Sequence, residues 1–249
     1  RHTNWAHAFG IVDWDNVGSF TGVYDDVSSE TFNVQFRRGR DYASQVSGNS
    51  TAGKLTAVLN NEGGKYSPSN AASVLAGNLE VGRPVRFGTG ASGEFPYEFP
   101  FAFSSEAVPE WTGRLQSLIP EPSSTGLNRV VLTAVGPLGY INDLVPISEM
   151  QSDIRTDEAI AKILDDAGWG ATERELAEGQ TTMNRWWTDS LNTITALRIV
   201  EETENGFVKE MANGYISFES RNTRLSGSYI TSQATFSDAV SATHTYMQL

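Results

Sequence analysis

The chain has no cysteine in its 249 residues. Disulfide bridges and thiolate metal sites are therefore excluded, and the redox compartment is left open. Histidine is nearly as scarce. His2, His7 and His244 are the only 3; they lie near the ends, and no HxxxH or HExxH spacing exists, which speaks against a zinc hydrolase. There is no Gly-x-Ser-x-Gly nucleophile elbow and no Walker loop. Positive charge is short as well: 18 Lys and Arg face 30 Asp and Glu, a net charge of −12. Such a surface repels free nucleic acid and anionic membrane. The one basic concentration, Arg37-Arg38-Gly39-Arg40, reads as a charged strand end and turn with one arginine paired to a carboxylate. No apolar run approaches the ~20 residues of a membrane span; the longest, Val130–Ile141, is interrupted by Gly136, Pro137 and Gly139. Arg1-His2-Thr3-Asn4 lacks the apolar core of a signal peptide. A first residue other than Met points to a processed chain or a portion of a longer one. Internal repeats and low-complexity segments are absent too.

Alternation is what the chain has in quantity. Hydrophobic residues make up 39 % and glycines number 23, the composition of a folded chain with many tight turns. In Leu55–Phe87, residues Leu55, Ala57 and Leu59 alternate with Thr56 and Val58, and Leu79, Val81, Val85 and Phe87 share one parity. Period two with one apolar face means half-buried strands. Asn60-Asn61-Glu62-Gly63-Gly64 and Gly77-Asn78 supply the turns between them. Phe9–Val12, Phe32–Phe36, Trp111–Leu118 and Arg129–Val135 read as further strands, the last being the most apolar and hence central. Ile119-Pro120-Glu121-Pro122 reads as a loop that ends the third of these, and the last two strands form an antiparallel hairpin.

Near residue 147 the period changes. Thr156 reads as an N-cap, with Asp157 and Glu158 in the first turn. Ile160, Ile163, Leu164 and Ala167 follow at helical spacing, and Gly168 closes the helix. Arg185-Trp186-Trp187 reads as a strand. A second helix, capped by Asp189 or Ser190, carries Leu191, Ile194, Leu197 and Val200 on one face. Its tail Glu201–Glu204 opposes the helix dipole and predicts fraying. Asn205-Gly206 ends it. Phe207–Met211 and Tyr215–Ser220 form a hairpin about a two-residue Asn213-Gly214 turn of type I′. The fold class is mainly β with a smaller α+β part: an antiparallel β-barrel-like domain over 1–147, a small two-helix and β-hairpin domain over 148–225, and a strand or arm over 226–249.

Several motifs suggest chemistry and are outweighed. Asp13-Trp14-Asp15-Asn16-Val17-Gly18 resembles a calcium loop, but Val17 and Tyr24 stand where oxygen ligands belong; it reads as a polar turn. Gly88-Thr89-Gly90-Ala91-Ser92-Gly93 matches the dinucleotide fingerprint, yet Pro96 and Pro100 forbid the helix that must follow. Asn49-Ser50-Thr51 fits a glycosylation acceptor and carries no weight without a secretion signal. Glu94, Glu98, Glu106 and Glu110 lie among aromatics as in a sugar cleft, but scattered acids are ordinarily a solvated face. Phe95, Tyr97, Phe99, Trp186 and Trp187 are the candidate interface or glycan-contact aromatics. No catalytic, cofactor-binding or metal residue is assigned, no cofactor is expected, and an enzyme is disfavoured.

One ordered set of signatures remains. Arg38-Gly39-Arg40 ends a strand; Gly53–Leu59, Gly63-Gly64 and Tyr66-Ser67-Pro68 follow. Then come Leu79-Glu80-Val81-Gly82-Arg83-Pro84-Val85 and Trp111-Thr112-Gly113-Arg114. Later come Thr156-Asp157-Glu158-Ala159-Ile160, Asp165 through Trp169, Gly179-Gln180-Thr181-Thr182, Asn213-Gly214 and Phe218-Glu219-Ser220-Arg221. In this order, over roughly 30–225, the chain resembles tail-tip or baseplate hub proteins of tailed bacteriophages. The resemblance implies β-barrel-like domains around a central channel, with self-association as a trimer. Other tail proteins (a distal tail or tube protein, the tape measure, a spike or fibre) are the implied neighbours, and genomic DNA passes through without specific binding. It also implies a place in the virion, at the tail tip, after synthesis in the host cytoplasm. Peptidoglycan hydrolase domains of some members have no counterpart here. The alternative is a carbohydrate- or receptor-binding tail module.

Overall fold

The computed structural model describes residues 8–40, 50–89, 108–122 and 128–225. Six strands form one antiparallel sheet: β1 (Ala8–Val12), β2 (Thr31–Arg40), β3 (Ser50–Asn60), β4 (Pro84–Thr89), β5 (Val108–Glu121) and β6 (Arg129–Val135), in the order β1-β4-β5-β6-β3-β2. At one margin of the sheet, β1 also pairs with the segment that leads into β2. There Ile11 bridges Asp26, Val12 N donates to Asp25 O at 2.9 Å, and Val27 N donates to Gly10 O at 2.9 Å. The alternation expected for β3 is realised: Leu55, Ala57 and Leu59 are all fully buried, with Val85 and Phe87 of β4 and Val130, Leu132 and Ala134 of β6. Trp14, Tyr66 and Trp111 fill the interior between them. β6 is central, between β5 and β3.

The sheet also corrects the sequence reading. Leu79 and Glu80 are irregular and Val81-Gly82 is a turn, so the strand expected there begins only at Pro84. Gly88 and Thr89 end β4, which places the start of the fingerprint match in a strand. β5 does not break at Pro120 but runs to Glu121. β4 pairs with β5 only as far as Arg114, and Pro120 pairs with Val130 of β6. The missing N–H of Pro120 therefore falls on the margin that has no partner strand, where proline is tolerated. Phe32 and Phe36 are on the exposed side of β2. Phe32 lies 5.8 Å from the Arg129 guanidinium, a cation–π contact.

The smaller α+β part follows directly. It comprises α1 (Pro137–Ile141), β7 (Ser148–Arg155), α2 (Thr156–Asp166), β8 (Arg174–Leu176), β9 (Thr182–Thr188), α3 (Thr193–Glu204), β10 (Phe207–Glu210) and β11 (Ile216–Glu219). β7 pairs with β9, and β10-β11-β8 form a second small sheet in which β8 is parallel to β11. Ala159, Ile160, Ile163 and Leu164 of α2 and Ala196, Leu197 and Val200 of α3 meet Trp186, Val208, Ile216 and Phe218, with Leu138 and Ile141 of α1 completing this second core. Gly168, at φ 71°, closes α2 as expected. Trp169 N reaches Leu164 O at 2.8 Å and Gly168 N reaches Asp165 O at 2.9 Å, the paired bonds of a Schellman end.

Three local details differ from the sequence reading. Arg155, not Thr156, is the N-cap of α2, and its N–H donates to Glu158 Oε2 at 2.9 Å. Asn192 caps α3, its Oδ1 accepting from Thr195 N at 2.8 Å; Ser190 instead occupies the left-handed region at φ 58° in the preceding turn. The hairpin loop is longer than the type I′ turn expected. Met211 pairs with Tyr215, Gly214 N donates to Met211 O at 3.1 Å, and within the loop Gly214 alone has positive φ. This is a three-residue loop closed by a left-handed glycine.

Candidate functional site

The β7–β9 ribbon divides the two tryptophans. Trp186 pairs with Gln151 and turns inward, 7 % exposed, while Trp187 turns outward at 57 %. Adjacent strand residues point to opposite faces, so the pair does not form one stacking platform. Trp186 belongs to the second core, and of the two only Trp187 faces solvent. The register jumps from Ser148↔Thr188 to Gln151↔Trp186, which leaves both Glu149 and Met150 opposite Trp187. This bulge keeps Met150 on the exposed side, and Leu144, Val145 and Ile147 are exposed just before it. These are large apolar side chains left exposed on one stretch of the fold. Glu149, Asp153, Arg185 and Asp189 are exposed around it. Phe95, Tyr97 and Phe99, with Glu94, Glu98 and Glu106, lie outside the described residues. Glu110 lies in β5.

Two buried carboxylates organise the elements behind this ribbon. Glu204, in the last turn of α3, is wholly buried. It accepts the Thr156 hydroxyl at 2.9 Å, Gln180 N at 3.1 Å and Thr181 N at 2.9 Å, and Arg221 Nε lies 3.8 Å away. Burial works against its charge, but these donors prevail and hold its carboxyl below the usual carboxylate range. Gly179 must lack a side chain, because a Cβ there would meet the Thr156 hydroxyl and the Asp157 N–H. Glu201 is also buried and accepts Val208 N at 3.0 Å. The acidic end of α3 is thus pinned where fraying was expected: its carboxylates have donors outside the helix.

The second carboxylate, Glu210 of β10, enters the junction between β3 and α1. It accepts Gly53 N at 2.8 Å and Leu138 N at 2.8 Å, with a further bond from Gly139 N. Burial pushes it up to about 7 against the bonds from these amides and the field of Arg38. Beside it opens a cleft of about 450 Å³ lined by Phe36, Arg37, Arg38, Phe207, Lys209 and Met211.

Beyond β1, Asp13, Asp15 and Asp25 bring three carboxylate oxygens within 4.8 Å of one another. The sequence offered Asp13 and Asp15; the fold adds Asp25. Asp13 accepts from Val17 N and Gly18 N at 3.2 and 2.9 Å, and Asp25 accepts from Gly22 N at 2.7 Å. These bonds make the aspartates turn-formers, in line with the polar turn read from sequence. A hydrogen bond to Asp13 raises Asp15 above its ordinary value.

No protein-family model matches the chain, and no curated protein matches it in sequence. Solved structures do match. The 43 kDa tail protein of prophage MuSo2 from Shewanella oneidensis superposes with a TM-score of 0.50 at 9 % identity, over 86 % of this chain and 54 % of its own. The tail protein from Neisseria meningitidis MC58 superposes with a TM-score of 0.51 at 11 % identity, over 85 % of this chain and 50 % of its own. This chain has a tail-protein fold. The tail resemblance read from the sequence therefore holds at the level of fold, and the chain spans about half the length of either tail protein. Among the described residues no helix is long and apolar enough to cross a membrane.

Proposed function

We propose that this chain is a structural component of a phage tail tip, or of a related tail-like particle. It self-associates, as a trimer, around a channel and links tail tube to tip. The observation that supports this most is the fold shared with two tail proteins. The outward ribbon of Ile147, Met150 and Trp187 is a surface suited to the contacts such a role demands. Other tail proteins are the neighbours in this reading, the virion tail tip is its location after synthesis in the host cytoplasm, and no catalysis is involved. The division at residues 147 and 225 belongs to the same proposal; two separate buried cores favour a chain of two parts, with Leu138 and Ile141 of α1 packed in the second core, and residues 226–249 lie outside the described residues. Acidic residues facing the channel repel DNA phosphates and let the genome slide, an idea motivated by the net charge of −12. A neutral or basic channel wall would overturn that part.

Light scattering of the purified chain at several concentrations tests the assembly. A trimer that Met150→Glu or Trp187→Glu converts to monomer is the expected result. A wild-type chain that stays monomeric at every concentration would overturn self-association. The alternative, a glycan- or receptor-binding tail module, is favoured by one observation, the exposed Trp187 ring. A glycan array decides it: binding lost in Trp187→Ala supports the alternative, and no binding removes it.

A further inference from the structure

Glu210 is the carboxylate that joins the barrel to the smaller part, and the fold is shaped to receive it. A Cβ at Gly53 or at Gly136 would overlap its carboxylate oxygens. Both approaches are therefore glycine, one on β3 and one between β6 and α1. The bond to Gly53 N spans 157 positions of sequence, and that to Leu138 N spans 72. Its partners are neutral amides, and among the described residues no cation lies within 4.0 Å of it, the reach of an ion pair. β2 presents Arg37 and Arg38 across the cleft, of which Arg38 acts on it at longer range. Lys209 of its own strand is bound to Glu219 of β11. Lys54 of β3 is exposed beside Gly53. α1 offers only Tyr140, whose ring lies against the Arg114 guanidinium of β5. The cleft of about 450 Å³ opens on Glu210 itself, so protons reach it without unfolding.

We propose that Glu210 is a pH-sensitive clasp between the barrel and the smaller part, firm when its carboxyl is neutral and loosened when it ionises without an ion-pair partner in the closed joint. The direction follows from linkage. A carboxyl that holds its proton more tightly in the closed joint than in water favours closure below its ordinary range, and this advantage disappears as pH rises through the folded value. With the closed group titrating at about 7 against an ordinary 4.5, the opening equilibrium rises on the order of tenfold or more between pH 5 and pH 8.

Amide hydrogen exchange at Gly53 and Leu138, corrected for the intrinsic pH dependence of exchange, reads the opening directly. In the wild-type chain corrected opening should climb by that factor, and in Glu210→Gln, whose amide carries no charge at any pH, it should stay flat. A flat wild-type profile would overturn the clasp, as would an equal climb in Glu210→Gln. The carbon-13 shift of the Glu210 carboxyl in the wild-type protein gives an answer that needs no variant. A midpoint near 7 supports the clasp, and one below 5 removes it.

Discussion

Thr156 donates its hydroxyl to Glu204 at 2.9 Å, and neither side chain touches solvent. The bond fastens the first residue of α2 to the last of α3, and the same carboxylate takes the backbone of Gln180 and Thr181. Three stretches distant in sequence thus depend on one side chain of α3, since Arg221 closes the group.

Glu204→Ala should leave those donors buried without an acceptor, at a cost of about 2–5 kcal/mol. Thr156→Val removes one bond and should cost about 1–2 kcal/mol. Urea unfolding measures both. The pH sign is opposite to that of Glu210. A carboxyl held below its ordinary value stabilises fully above that value and less as pH falls through the lowered one. The wild-type chain should therefore lose stability below about pH 4.5, and Glu204→Gln should lose less over the same interval.

The two tryptophans should behave in opposite ways. Trp186→Ala opens the second core and should cost about 3–5 kcal/mol. Trp187→Ala should leave stability within about 0.5 kcal/mol while weakening assembly. Unfolding curves set beside light scattering separate the two effects, and equal destabilisation by both changes would contradict the division of faces.

Two glycines should fail for different reasons. Gly168→Ala places a Cβ in open space but at φ 71°, which should cost about 1 kcal/mol through backbone strain alone. Gly179→Ala drives a Cβ into the Thr156 hydroxyl and the Asp157 N–H, and should cost about 2 kcal/mol or more because the Glu204 group must shift. Exchange protection at Thr181 N–H should fall in the second variant and not in the first.

Tyr66 is buried, and its hydroxyl donates to Glu30, which also holds Lys65 at 2.8 Å. Tyr66→Phe should cost about 1 kcal/mol. In the wild-type chain burial, together with Glu30, raises the phenol above its ordinary value. Ultraviolet titration of the folded protein should therefore show Tyr66 still protonated where exposed tyrosines have ionised.

Much of the fold was legible because it depends on local period. β3, β6 and α2 each bury one regular stripe, and side-chain order alone reveals that. β7 was not legible: Ser148–Arg155 buries little and alternates poorly, since its place is set by pairing with β9. β8 has only three residues, and it is defined by a parallel partner, β11, that follows only after β9, α3 and β10. The Gly179-Gln180-Thr181 signature was visible, but its reason was not. That reason is a glutamate in the tail of α3, where helix-dipole arguments predicted loosening. Trp186 and Trp187 could be named from sequence, yet the bulge at Glu149 and Met150 that frames Trp187 leaves no sequence mark. Asp25 joins Asp13 only because the segment before β2 pairs with β1.

The bond from Gly53 N to Glu210 also sets an order of events. During synthesis β3 leaves the ribosome 157 residues ahead of its acceptor. The barrel strands can pair early through nearer contacts, whereas contacts this distant in sequence close late. A nascent chain stopped before residue 210 would carry a formed barrel wall with the Gly53 and Leu138 amides still facing water, waiting on a single side chain.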